Sequence, residues 1–143
     1  MLMPLVHLSK YAVKRGDLAQ AEAYLSEAFR LHAINRRVGE SIKAIEQLAD
    51  VARLQRRYDV TVRLLGCATH ARADAEFGHS AERDAELSAM LTAAREALDA
   101  SCFDAAWNEG AAMSLEHAID YARLVTEDSR ETGIEEYQHH NDP

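Results

Sequence analysis

Seven histidines, at positions 7, 32, 70, 79, 117, 139 and 140, and two cysteines, Cys67 and Cys102, have the widest chemical range in this chain. Imidazole and thiolate hold zinc when they recur at short fixed spacings, as in HxxxH, HExxH or CxxC. None of those spacings occurs. His70 follows Cys67 by three residues and can share a helix face with it, but two ligands do not make a zinc site. Ser, His and Asp are all present without a nucleophile-elbow signature. The acid pairs Asp84/Glu86 and Glu135/Glu136 read as solvated charge, because a general acid and base must be held in a pocket. No catalytic residue, no metal site and no cofactor are expected. The chain does not read as an enzyme.

Charge and composition narrow the classes further. A formal net charge of −8 argues against direct nucleic-acid binding, which needs a clustered basic surface. No run of about 18 apolar residues exists, so no membrane span is expected. The start, MLMPLVHL, lacks a positive region and a small-residue cleavage site, so it does not read as a signal peptide. Two cysteines 35 residues apart fit a reduced, cytoplasmic setting better than a disulfide scaffold.

The elements that would position these side chains are all helical. Alanine is abundant and only two prolines occur, at position 4 and at the last residue, so nothing interrupts the interior. The stretch Tyr11 to Leu31 reads as a helix, a Gly16-Asp17 turn and a helix running back. Gly16 can supply the positive φ and Asp17 an N-cap, with Gln20 completing a capping box. Ala12, Ala21 and Ala28 sit where the helices approach closely, with Leu8, Leu18, Leu25 and Leu31 as filling. Helices are expected over 3–15, 18–35, 39–55, 58–76 and 81–99, with Gly78 stopping the fourth. The third buries Ile42, Ile45, Leu48, Ala49 and Ala52; the fourth buries Val62, Leu65 and Ala68 or Ala71. Leu87, Met90, Leu91, Ala94 and Leu98 form the stripe of the fifth. Ser101 is expected to cap a short sixth helix that buries Phe103 and Trp107 and ends at Gly110. Ser114 is expected to cap a seventh, with Glu116 in its first turn. Phe103 and Trp107 read as a terminal plug, and Tyr11, Tyr24 and Tyr58 as packing groups. Residues 127–143 hold six carboxylates against Arg130 and read as a loosely docked acidic tail with room for one short turn at Ile134 and Tyr137.

Shifting Leu8, Ala12, Gly16, Asp17, Ala21, Leu25 and Ala28 by 40 residues gives Leu48, Ala52, Arg56, Arg57, Thr61, Leu65 and Ala68. The apolar and small positions survive, and a helix pair repeated at this period signals an α-solenoid. The helix–Gly-Asp–helix unit resembles a tetratricopeptide (TPR) repeat in the longer form of MalT-like regulators. The run FDAAWNEG from Phe103, followed by Ser114-Leu115-Glu116-His117-Ala118-Ile119 and Tyr121-Ala122, resembles the C-terminal ending of large bacterial LuxR-type ATPase transcriptional regulators. The resemblance covers roughly residues 8–124. No glycine belongs to a GxxxxGK[ST] phosphate loop and no basic recognition helix is present, so ATP hydrolysis and DNA binding are not carried over.

The resemblance implies an all-α, TPR-like right-handed solenoid over 1–126, with repeats at about 3–36 and 39–77 and capping helices over 81–126. In that register the first helices of the pairs line a concave face. Val6, Lys10, Val13 and Lys14 fall there from the first pair, and Lys43, Glu46, Gln47, Asp50 and Arg53 from the second. The expected partner-binding residues are Lys10, Lys14, Lys43, Glu46, Asp50 and Arg53, a partly cationic strip able to hold an acidic peptide or chain terminus. The open end exposes Leu2, Leu5 and Val6, from which homodimerisation through residues 1–30 is expected. The role implied is a protein–protein interaction module of a bacterial signalling or transcription-regulating protein. The alternative is a small-molecule effector-sensing domain of a MalT-like regulator, which would need a closed apolar pocket.

Overall fold

Two turns 40 residues apart close in the same way. The computed structural model describes residues 3–35, 37–75 and 80–127. Gly16 takes φ +79°; its N–H donates to the Val13 carbonyl and the Asp17 N–H to the Ala12 carbonyl, both at 2.9 Å. This pair of bonds is a Schellman motif. At the equivalent place Arg56 takes φ +62°, and the Arg56 and Arg57 N–H groups donate to the Arg53 and Ala52 carbonyls at 3.0 and 2.8 Å. No atom lies near where a Cβ on Gly16 would point, so the backbone angle, not space, calls for glycine there.

The described residues are helical, with no strand among them. They form α1 (Met3–Lys14), α2 (Leu18–Asn35), α3 (Val38–Leu54), α4 (Tyr58–Ala75), α5 (Ala81–Ala97) and α6 (Ala100–Ala111), then α7 over residues 115–127. Four starts are capped by side chains. Asp17 accepts from the Gln20 N–H at 3.0 Å, Ser80 from the Arg83 N–H at 3.1 Å and Ser114 from the His117 N–H at 3.1 Å. At α6 the cap is Asp99, which accepts from the Cys102 N–H at 2.7 Å; Ser101 already lies inside the helix. A carboxylate two residues earlier displaces the hydroxyl because it makes the stronger, charge-assisted bond.

α1 pairs with α2 and α3 with α4; α3 packs on α2 and touches α1, while α5 rests on α4 and α3. The core runs through all of these, from Ala12, Ala21, Leu25 and Phe29 to Ile42, Ile45, Leu48, Leu64 and Ala68, and α7 closes it with Ala118, Ile119, Ala122 and Val125. The two hairpins share a buried side-chain-to-backbone bond with the arms exchanged. Ser9 of α1 donates to the Ala21 carbonyl at 3.1 Å. In the second hairpin Thr61 of α4, the equivalent of Ala21, donates to the carbonyl of Ala49, the equivalent of Ser9, at 3.0 Å.

α6 lies mainly on α4 and hardly on its neighbour α5. Two glycines allow this. A Cβ on Gly66 would stand 2.7 Å from the Trp107 carbonyl oxygen, and one on Gly110 2.1 Å from that of Arg63. Gly110 therefore does not end the helix, as expected from sequence; it lies within α6 and lets the two backbones touch. Phe103 and Ala106 fill the adjoining space with Val62 and Ala94.

Some expected positions move. Leu8 is 42 % exposed instead of filling the hairpin, and Tyr11 is 61 % exposed instead of packed. Val6 is buried in the core and Leu5 half-buried, so this pair is already used within the chain; Leu2 lies outside the described residues. Gly78 and the tail beyond 127 also lie outside them. No helix among the described residues is long and apolar enough to cross a membrane.

Candidate functional site

The face where α3 meets α5 carries the densest organised charge. Glu46 of α3 is 1 % exposed. A carboxylate so buried needs a matched partner, and Arg72 of α4 supplies one by donating from Nε to one oxygen and from Nη2 to the other, both at 2.8 Å. Arg83 of α5 approaches the same carboxylate at 3.5 Å. Three helices are thereby tied at one point. Removing one partner of such a buried pair costs about 3–5 kcal/mol, because the other charge stays behind.

Outward from that point the charges continue in pairs. Arg53 donates to Asp50 at 3.0 and 2.7 Å, and Arg83 donates to Glu86 at 2.7 Å. Asp50, Arg53, Arg83 and Glu86, with Ala89 and Met90, line a cleft of about 300 Å³. Three of the six expected binding residues thus meet on α3, but in unequal roles. Asp50 and Arg53 face the cleft, whereas Glu46 is buried against Arg72 and is not offered at the surface. Lys43 is exposed on α3, and Lys10 and Lys14 on α1. Lys14 sits 5.9 Å from the centroid of the Tyr11 ring. Val6 is in the core, not on this face.

Sequence reading missed Arg83 and Glu86, the α5 half of the cleft. The available signal was the RxxE pair at positions 83 and 86, which continues the Met90 and Ala94 stripe at i, i+3, i+7 and i+11 on one face of α5. A second, smaller cleft of about 210 Å³ lies between α5 and α6, lined by Leu91, Arg95, Phe103, Asp104 and Trp107. There the Arg95 guanidinium stands 4.1 Å from the centre of the Phe103 ring.

Two further polar groupings connect elements. His32 of α2 is 2 % exposed. Its Nδ1 lies 2.5 Å from the Ser41 hydroxyl of α3, and its Nε2 3.2 Å from the Glu116 carboxylate of α7. An ionised Glu116 can only accept, so the bond at Nε2 runs from the imidazole N–H to the carboxylate. This serine–histidine–glutamate order has the form of a hydrolytic triad, but Ser41 is itself buried, so the chain of bonds ties three helices together. Arg63 of α4 donates to Glu109 at 2.8 Å and to Asp59 at 3.0 Å. Burial opposes its charge, yet hydrogen bonds to Glu109, Tyr121 and Asp59 leave the guanidinium pKa raised. Burial in turn raises the Tyr121 hydroxyl, against the pull of Arg63.

The cysteines stand apart. Cys67 is buried, with its sulfur 3.4 Å from that of Met113, and burial pushes its thiol up to about 11. His70, three residues on, is exposed and pairs with Asp74 at 3.4 Å. One side chain is buried and the other exposed, and each has a different partner. Cys102 is exposed, and a hydrogen bond to Asp99 raises its pKa.

Over 80 residues the chain is 41 % identical to proteins of Mycobacterium bovis and of two strains of Mycobacterium tuberculosis, provisionally named HTH-type transcriptional regulators. The similarity covers 56 % of this chain, and the chain spans only 9 % of the length of these relatives. No family model matches the chain. No solved structure matches it. The relatives' names overturn one expectation, that of no direct nucleic-acid binding. Helix-turn-helix proteins bind DNA through a small basic element, and a net charge summed over one acidic chain says nothing about such an element. That exclusion is withdrawn.

Proposed function

We propose that these 143 residues form a TPR-like interaction module of a bacterial transcription-regulating protein. The exposed face of α1, α3 and α5 is the surface offered to a partner polypeptide. The observation that carries this reading is the cleft lined by Asp50, Arg53, Arg83 and Glu86, one of whose residues, Arg83, also approaches the buried Glu46 that Arg72 holds. Helices tied together by a buried ion pair present charges in fixed positions, so little ordering entropy is lost on binding. Lys10 and Lys14 of α1 and Lys43 of α3 are exposed and favour a partner segment carrying carboxylates. The relatives' designation as transcriptional regulators supports the wider role.

The cleft volume of about 300 Å³ also favours a second reading, a pocket for a small effector with both an acidic and a basic group. Isothermal calorimetry separates the two. Titration with carboxylate-rich peptides, against a panel of sugars and amino acids, gives heat with the peptides on the first reading and with the small molecules on the second.

A further inference from the structure

The repeat shows how the outer side of α1 differs from that of α3. On α3, Ala44, Leu48 and Val51 are wholly buried and lie on the helix that α2 covers. Gln55, next along the same stripe, donates to Glu22 of α2 at 2.6 Å. The positions 40 residues earlier are Pro4, Leu8, Tyr11 and Arg15, and all four are exposed. They fall at i, i+4, i+7 and i+11, a single face of α1. The apolar residues are kept, and no described residue covers them.

The cover on α3 has a readable pattern. Glu22 at one end of α2 takes the Gln55 bond and approaches Arg57 at 3.9 Å. His32 at the other end meets Ser41 of α3. Between them Leu25 and Phe29 are fully buried, so the covering face reads Glu, then Leu at +3 and Phe at +7. Over α1 the group facing the acidic position is Arg15, a full cation where α3 has an amide. α1 has no acidic residue, and with Arg15 it presents Lys10, Lys14 and Arg15. A second copy meeting it through its own α1 would bring like charges together.

We propose that the Pro4–Leu8–Tyr11–Arg15 face of α1 docks an amphipathic helix from a partner polypeptide. That helix carries a carboxylate followed by apolar residues at +3 and +7, seated as α2 sits on α3. Arg15 grips the carboxylate, and Leu8 and Tyr11 receive the two apolar side chains. The surface is separate from the α3/α5 cleft, so either can fail without the other.

The test uses the full chain and a fluorescein-labelled synthetic peptide of residues 18–35, which has the required pattern. Anisotropy should show saturable binding, weakened about tenfold or more by Leu8→Asp with Tyr11→Ser. Both positions are exposed, and unchanged melting of the variant confirms that its fold is intact. Arg15→Glu should also weaken binding, and a peptide with Glu22→Arg should restore it. Absence of binding overturns the proposal. So does binding insensitive to the Leu8/Tyr11 change, which would mean that the peptide exchanges onto α3. Sedimentation showing a dimer that Leu8→Asp dissolves would give the face to a second copy, and would equally overturn it.

Discussion

Arg56 is the clearest case of a residue held against its own preference. A side chain in the left-handed region costs about 1–2 kcal/mol, and φ +62° puts Arg56 there. Its partner in the repeat, Gly16, avoids that cost. Arg56→Gly should therefore stabilise the protein by about 0.5–1 kcal/mol, after the extra freedom of glycine in the unfolded chain is counted. Thermal melting followed by circular dichroism should show a midpoint higher by about 2 °C; a lower midpoint would mean that the arginine side chain holds the turn. Cys67 gives a second residue-scale test. Its folded pKa of about 11 lies above the ordinary 9.0, so the stability it contributes is complete below pH 9 and is lost as pH rises through 11. Urea midpoints should fall over that interval more steeply for the wild type than for Cys67→Ala. Residues of this kind were partly legible in advance. The Asp17 cap followed from local spacing alone, whereas Asp99 was overlooked for Ser101 because two candidate caps stood two positions apart.

At the scale of elements, helix pairs read well and the contact between non-neighbours did not. The helices came within a residue or two of their expected bounds because apolar periodicity and caps are local signals. The crossing of α4 and α6 was invisible for a physical reason. A glycine that permits backbone contact looks in sequence like one that ends a helix, and Gly110 was read as the latter. Gly110→Ala should destabilise the chain by about 3 kcal/mol or more, since a Cβ at 2.1 Å from a backbone oxygen forces α6 away from α4. Gly16→Ala should cost only about 1–2 kcal/mol, for its φ alone. Chemical denaturation of the two variants checks the order, and equal losses would mean that the crossing is not tight.

For the molecule as a whole, the period of 40 residues was the most informative feature of the sequence, and the cleft was the least legible. Glu46 illustrates why. On the helix it stands in register with Asp50 and Arg53, and only the fold reveals that Arg72, 26 residues away, draws it inside. Arg83 and Glu86 belong to a helix beyond the repeat, so no internal comparison could have paired them with α3. Lys10, Lys14 and Lys43 are exposed, and their use by a partner is the central claim. Its most direct measurement is selection of random peptides displayed on phage against the chain, in parallel with its Lys10→Glu/Lys14→Glu/Lys43→Glu variant. The account predicts peptides rich in aspartate and glutamate for the wild type and loss of that enrichment for the variant. Recovery of the same peptides by both, or of none by the wild type, would contradict it.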